Sequence, residues 1–224
     1  MTEIKICGIT NIEDALCAAT GGADAIGFIF HPASPRYITP KRAKEIIAAL
    51  SPGIITVGVF VNREADIVAK TVEDCGFDLI QLHGDESPEY CRRFPPERVI
   101  KAVFPRTPKD LEALNAYDVG AFLVDFREAG RPGGTGKRAD WELAARLAES
   151  QPLILAGGLG EENIGEALAR VDPSAVDLNS GCERTPGIKD HERMRRIIGM
   201  IRRAGLPGQK IIFARSTNVA LNQR

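Results

Sequence analysis

The chain has 224 residues, with 29 Lys and Arg against 30 Asp and Glu and a net charge of −1, and it shows no basic block or basic-aromatic interleaving, so the footprint of a nucleic-acid binder is missing. Its five cysteines (Cys7, Cys17, Cys75, Cys91 and Cys182) are odd in number and none are spaced as CxxC, which argues against a disulfide framework or a zinc site and for a reducing compartment. No apolar run approaches a membrane span, and Met1 leads into a charged strand pattern rather than a signal peptide, so a cytoplasmic protein without nucleic-acid or membrane partners is expected.

The first segment, "EIKICGI", is a short β-branched strand ending in Cys7-Gly8, with a helix start close behind. Free cysteine is among the most buried residue types, so packing is one reading of Cys7. In an α/β fold, however, the carboxyl end of a strand is where ligands bind. Further strand-like runs follow: "DAIGFIF", "IITVGVFV", "DLIQLHG", "RVIKAVF", "AFLVDF", "PLILAGG" and "AVDLNSG". Amphipathic stretches such as "TPKRAKEIIAAL", "READIVAKTVEDCG", "TPKDLEALNAY", "DWELAARLAES" and "EENIGEALARV" lie between them. In the first of these, Ala43, Ile46, Ile47 and Leu50 mark one helical face, and Thr39 before Pro40 supplies a cap and a first-position proline.

Nearly continuous hydrophobic strands indicate a sheet covered on both faces, hence parallel. Eight strand–helix units in roughly 200 residues predict an α/β fold, a single closed (β/α)8 TIM barrel with eight parallel strands. A doubly wound open sheet is the alternative. No linker interrupts residues 1–204, which are read as the barrel. Residues 205–224 form a C-terminal tail with a Pro-Gly break and an apolar cluster at Ile211, Ile212 and Phe213. It is either a mobile terminus or a segment folded back onto the barrel.

The predicted strand ends carry Cys7, His31, Asn62, His83, Asp125, Gly157-Gly158 and Asp177 through Gly181. This polar set contrasts with the apolar strand interiors and marks a candidate active site. Gly157 and Gly158 follow strand seven, and Ser180 and Gly181 follow strand eight. Glycines let a backbone approach an anion, and loops seven and eight are where such barrels bind phosphate. Cys7 and Asp125, at the ends of strands one and six, are placed to face each other over a substrate. A thiol of pKa about 8.5 is only about 3% thiolate at pH 7, so base work asks for a pocket that lowers that value. A carboxyl group raised by apolar surroundings would be the matching acid. Base and acid over a sugar phosphate suggest proton-transfer isomerisation. Taken singly, such a cysteine is more often packing and such an aspartate a helix cap.

"KICGIT", "GADAIGFIFHPASPRYI", "VGVFVN", "QLHGDE", "GGTGKRADW", "LAGGL", "VDLNSGCE" and "PGIKD" together resemble the phosphoribosylanthranilate isomerase family of tryptophan biosynthesis, from residue 3 to about 204. The resemblance implies an Amadori rearrangement of N-(5-phosphoribosyl)anthranilate to the 1-deoxyribulose 5-phosphate derivative, with no metal or cofactor. It implies Cys7 as general base and Asp125 as general acid. It also implies Arg36, in "SPRYI", as the partner of the anthranilate carboxylate, a task that suits a guanidinium fork.

The chain departs from the family pattern in its tail, at Ala139 where a bulky aromatic is expected, and at Asn179 where a small hydroxyl residue is common. His83 either lines the sugar site or makes a structural hydrogen bond. Asp177 points into the mouth or caps a helix, with the mouth preferred. His31 and His191 are read as non-catalytic, and Trp141 as a packing anchor. Cys17 and Cys75 are read as inert, Cys182 as incidental, and "KDHERMRRIIGMIRR" as a solvated helix face. A metal-dependent epimerase would want His and Asp clusters that three scattered histidines do not supply. A triose-phosphate isomerase type would want Glu where Asp125 stands. An enzyme that also isomerises the related histidine-pathway intermediate, and a barrel kept as a scaffold, stay open. So does the choice between monomer and homodimer.

Overall fold

Eight strands pair in chain order into one parallel sheet: β1 (Glu3–Ile6), β2 (Ala25–Ile29), β3 (Ile55–Phe60), β4 (Leu79–Leu82), β5 (Val99–Val103), β6 (Ala121–Val124), β7 (Leu153–Leu155) and β8 (Ala175–Leu178). β1 also pairs with β8, which closes the barrel and excludes the open sheet. The structure, a computed structural model, describes residues 1–126, 140–205 and 211–213.

Helices alternate with the strands: α1 (Ile12–Gly21), α2 (Pro40–Ala48), α3 (Ala65–Cys75), α4 (Pro88–Cys91), α5 (Pro108–Ala113), α6 (Trp141–Ala148), α7 (Ile164–Val171) and α8 (His191–Ala204). Their starts follow from local chemistry. The Thr39 side chain accepts from the Arg42 amide ahead of Pro40, and Asn11 accepts from the Asp14 amide, each satisfying a donor that a helix start leaves open. α4 is a single turn because Pro95 and Pro96 stand close behind it and cannot continue a helix. The loop after β8 carries a small hairpin that the sequence reading lacks, β9 (Glu183–Thr185) with β10 (Ile188–Lys189), turned at Gly187 with φ of 85°.

Alternation along each strand divides the core in two. Ile4, Ile6, Ile26, Phe28, Ile80, Leu82, Phe122, Val124, Leu153, Leu155, Val176 and Leu178 join the layer beneath the helices. Ala25, Ile55, Val57, Leu79, Ile100, Ala102, Leu123, Ile154 and Ala175 fill the barrel interior. Continuing the inward parity to the carboxyl ends brings Lys5, Cys7, Gln81, His83, Asp125, Asp177 and Asn179 to the mouth. Of the tail, Ile212 and Phe213 pack against the interior cluster at the opposite end. Their amides donate to the Glu3 carboxylate, at 2.6 Å for Ile212 and 3.2 Å for Phe213.

Candidate active site

Cys7 lies one residue past β1, and its amide donates to the Leu178 carbonyl at 2.8 Å, so the ladder holds it in place. The residue is 3% exposed. Gly27 on β2 makes the space: a methyl there would stand 2.8 Å from Cys7 Sγ and 3.1 Å from Lys5 Nζ. Lys5 Nζ in turn donates to Asp177 Oδ2 at 2.9 Å, with both side chains buried. The pocket does not lower the thiol's pKa as the sequence argument asks. Burial pushes it up, and the charges of Lys5 and Lys189 only partly offset that.

Asp125 is held in the same way, its amide donating to Val103 at 3.2 Å. Its Oδ1 accepts from the Phe126 amide at 2.7 Å, and its Oδ2 lies 3.3 Å from His83 Nε2. Gln81 Nε2 is 2.8 Å from His83 Nδ1. With that amide donating, Nδ1 is an acceptor and the ring proton stands on Nε2, facing Asp125. His83 thus stands in the mouth, and its hydrogen bond is to Gln81 of its own strand rather than to a neighbouring loop. Asp177 points into the mouth rather than at a helix. Burial raises its carboxyl pKa, Lys5 opposes the rise, and Asp125 and His83 are close enough to act on it. Thiol, ammonium, both carboxyl groups and imidazole thus share one mouth. Asp177 Oδ1 and Gln81 Oε1 are buried there without a hydrogen-bond partner among the described residues.

Loops seven and eight touch. Gly157 and Gly158 turn at φ of 88° and 62°, a region open to glycine. A methyl on Gly181 would overlap the Leu159 carbonyl oxygen. Asn163 fixes loop seven, donating to the Gly158 carbonyl at 2.8 Å and accepting from the Gly160 amide at 2.9 Å. The amides of Gly158, Ser180 and Gly181 donate to no described residue. Grouped free amides of this kind suit an anion.

Arg36 is buried and paired, not a solvated loop arginine. Its Nε and Nη2 donate to the Glu183 carboxylate at 2.6 to 3.1 Å. Glu183 also accepts from Lys189 Nζ at 3.0 Å and the Gly187 amide at 3.1 Å. Burial pushes the Glu183 carboxyl up, but Arg36 and Lys189 outweigh it and hold it below its ordinary value. Arg36 Nη1 has no partner among the described residues, which leaves the end of the fork for a ligand. Asn179 has a structural task, its Oδ1 accepting from Lys189 at 3.1 Å. Across Gly8, a methyl would stand 2.7 Å from both Arg36 Cδ and Asn179 Oδ1.

Asn62, His191 and Trp141 have structural partners. Asn62, at φ of 47°, accepts from the Asp85 amide and donates its own amide to Glu86, bracing the loops after β3 and β4. His191 bonds Asp14 at 2.7 Å and ties α8 to α1. Trp141 is buried under the Arg170 guanidinium. All five cysteines are free and buried, and burial pushes Cys182 to about 11. α8 buries Met194, Ile197, Ile198 and Ile201, and its Arg202 reaches Asp24 at 2.6 Å, so that helix is only partly a solvated face. Ala139 lies outside the described residues. Sequence reasoning missed Lys5, Gln81, Glu183 and Lys189. A lysine two residues before a strand-end cysteine, in an otherwise apolar run, was the available signal for Lys5.

The fold and mouth define a (β/α)8 barrel whose polar groups gather at the carboxyl ends of its strands. A family profile described as N-(5'phosphoribosyl)anthranilate (PRA) isomerase matches residues 4–200, and the chain belongs to that family. It is 54% identical over 203 residues to the N-(5'-phosphoribosyl)anthranilate isomerase of Syntrophus aciditrophicus, covering 91% of this chain and 88% of that one. The phosphoribosyl anthranilate isomerase of Thermotoga maritima has a similar structure, with a TM-score of 0.82 and 41% identity over 90% of this chain and 99% of that one. A phosphoribosyl anthranilate isomerase in complex with reduced 1-(o-carboxyphenylamino)-1-deoxyribulose 5-phosphate is also similar, with a TM-score of 0.78 and 41% identity over 88% of this chain and 97% of that one. No helix of the described residues is long and apolar enough to cross a membrane.

Proposed function

We propose that the chain catalyses the Amadori rearrangement of N-(5-phosphoribosyl)anthranilate to 1-(2-carboxyphenylamino)-1-deoxyribulose 5-phosphate, a step of tryptophan biosynthesis. The observation that carries the reading is the presence of Cys7 and Asp125 in one barrel mouth, in a chain that belongs to this family along almost its whole barrel. Asp125 protonates the ring oxygen. The C1–O bond breaks, and the nitrogen lone pair forms a protonated imine. The Cys7 thiolate takes the proton from C2, and the C–H electrons become the C1–C2 double bond as the imine nitrogen is neutralised. A proton added at C1 and one lost from the C2 hydroxyl give the ketose, so the reaction is a net isomerisation. His83, with Nε2–H toward Asp125, orients the acid. Gly157, Gly158, Ser180 and Gly181 take the phosphate, Asp177 a sugar hydroxyl, and the free end of Arg36 the anthranilate carboxylate.

Residues 1–204 act as the catalytic unit, as a monomer or homodimer, in the cytoplasm. A fluorescence assay with phosphoribosylanthranilate tests the reading. The parent protein is expected to turn over, and Cys7→Ala and Asp125→Asn to lose about 10²–10⁴ in rate while staying folded. An inactive, folded parent rejects the function and returns the scaffold reading, and near-normal turnover by either variant rejects that residue's role. Running the histidine-pathway intermediate in parallel decides whether a second substrate is used.

A further inference from the structure

Lys5 is among the largest side chains shut off from solvent, at 0% exposure. It stands two residues before Cys7 on the inward face of β1, and its register partner on β8 is Asp177. Burying an ammonium is unfavourable unless it is well paired, and an apolar side chain of similar volume usually serves stability at least as well. Something other than packing therefore keeps a lysine here. Gly27 supplies the clue, since one added methyl would overlap the Cys7 sulfur at 2.8 Å and crowd the Lys5 nitrogen at 3.1 Å. Sulfur and ammonium border the same small space beside this glycine. Lys5 from β1, Asp177 from β8 and Lys189 from β10 bear on the thiol, while Gly27 on β2 brings no charge. Asp125 and His83 in turn bear on Asp177. Burial works against the thiolate, and Lys5 is the largest influence working for it.

We propose that Lys5 is a positioning residue for the isomerisation, its ammonium locked beneath the sulfur by Asp177 so that the Cys7 thiolate is stabilised where it meets the C2 proton. The inference rests on Cys7 being the base. In the resting protein the thiol proton leaves to solvent, and Lys5 keeps all of its protons. In turnover the thiolate takes the substrate proton with no further reactant, and Asp177 fixes the ammonium without touching the transferred proton.

The test is a thiolate titration by absorbance near 240 nm, taken as the difference from Cys7→Ala, which removes the other four thiols and the tyrosines. Lys5→Met is expected to raise the Cys7 midpoint by one pH unit or more, at least about tenfold less thiolate at a fixed pH below it. If Lys5→Met fails to fold because Asp177 is left buried and unpaired, Asp177→Asn and Asp177→Asn/Lys5→Met make the same comparison without that carboxylate. The same displacement is expected there. A midpoint that moves by less than about 0.3 units in whichever comparison folds overturns the proposal, because a purely structural lysine leaves the titration in place. The readout needs no turnover, so failure of the isomerase reading would appear separately, as a folded parent that titrates normally and has no activity.

Discussion

Arg36 and Glu183, 147 residues apart in sequence, are joined by three hydrogen bonds of 2.6 to 3.1 Å that close the mouth between loops two and eight. Removing one partner of a buried pair commonly costs about 3–5 kcal/mol. Because Lys189 still reaches Glu183, a smaller loss of about 1–3 kcal/mol is expected for Arg36→Ala. If the guanidinium also holds the substrate carboxylate, KM rises as well, by roughly 10- to 150-fold for about 1.5–3 kcal/mol. Arg36→Lys separates the two tasks. A lysine still pairs with Glu183 but has no fork to offer a second carboxylate. Melting temperature should recover in part while KM stays high, and a KM restored along with stability would leave Arg36 with the structural role alone.

The same ion cluster sets an acid limit. Glu183 is held below its ordinary value, so its contribution is fully present above the unfolded carboxyl value of about 4.3 and is lost as pH falls through the lower folded value. Thermal melts from pH 7 to pH 3 should show a steeper fall in the parent than in Glu183→Gln. Parallel curves would mean that other carboxylates govern acid unfolding.

As the proposed base, Cys7 is expected to set the alkaline side of activity. Its thiol is pushed above the ordinary value, so at pH 7 the thiolate is a minor form whose fraction grows tenfold per unit. Above pH 7, where the substrate phosphate is already ionised, log kcat/KM should climb with a slope near +1 to at least about pH 8.5. A flat profile across that range would assign the proton abstraction to another group.

The barrel was legible because its signal is repetitive. Eight apolar runs separated by amphipathic stretches leave few topologies, and the strand tips then follow by position, which singles out Cys7, His83, Asp125 and Asp177. What escaped was partnership. Nothing in "SPRYI" says that Arg36 meets Glu183, because the hairpin that carries Glu183 and Lys189 is only five described residues in two strands with no periodicity to detect. Lys5 read as one charge in a strand, and only the β1–β8 register turns it inward onto Asp177. The short α4 departs from the other units, and Pro95 and Pro96 close behind it account for the difference.

At the far end of the barrel, Phe213 is 8% exposed and lies against the interior cluster. Burying a phenyl side chain is worth about 1.5–3 kcal/mol, and the alanine left behind keeps part of that burial. Phe213→Ala is therefore expected to lower stability by about 1–2 kcal/mol, a few degrees in Tm for a chain of this size. KM and kcat should not change, since the proposed site is at the other end. Unchanged stability would show that Phe213 does not hold this place in solution.

The loop contact at Gly181 gives the sharpest test of the anion site. Gly181 has no left-handed backbone, so what it contributes is space: an added methyl would overlap the Leu159 carbonyl. Gly181→Ala must therefore push loops seven and eight apart and spread the amides that are proposed to hold the phosphate. KM for phosphoribosylanthranilate and the inhibition constant for inorganic phosphate should rise together, by tenfold or more, about 1.4 kcal/mol. Gly165→Ala is the control. It lies in the first turn of α7, where a methyl meets nothing within 4 Å, and alanine is the better helix former by up to about 1 kcal/mol. That variant should keep both constants and lose no stability. If phosphate inhibits Gly181→Ala as well as it inhibits the parent, the anion is held away from the junction of loops seven and eight, and the proposed substrate pose turns around with it.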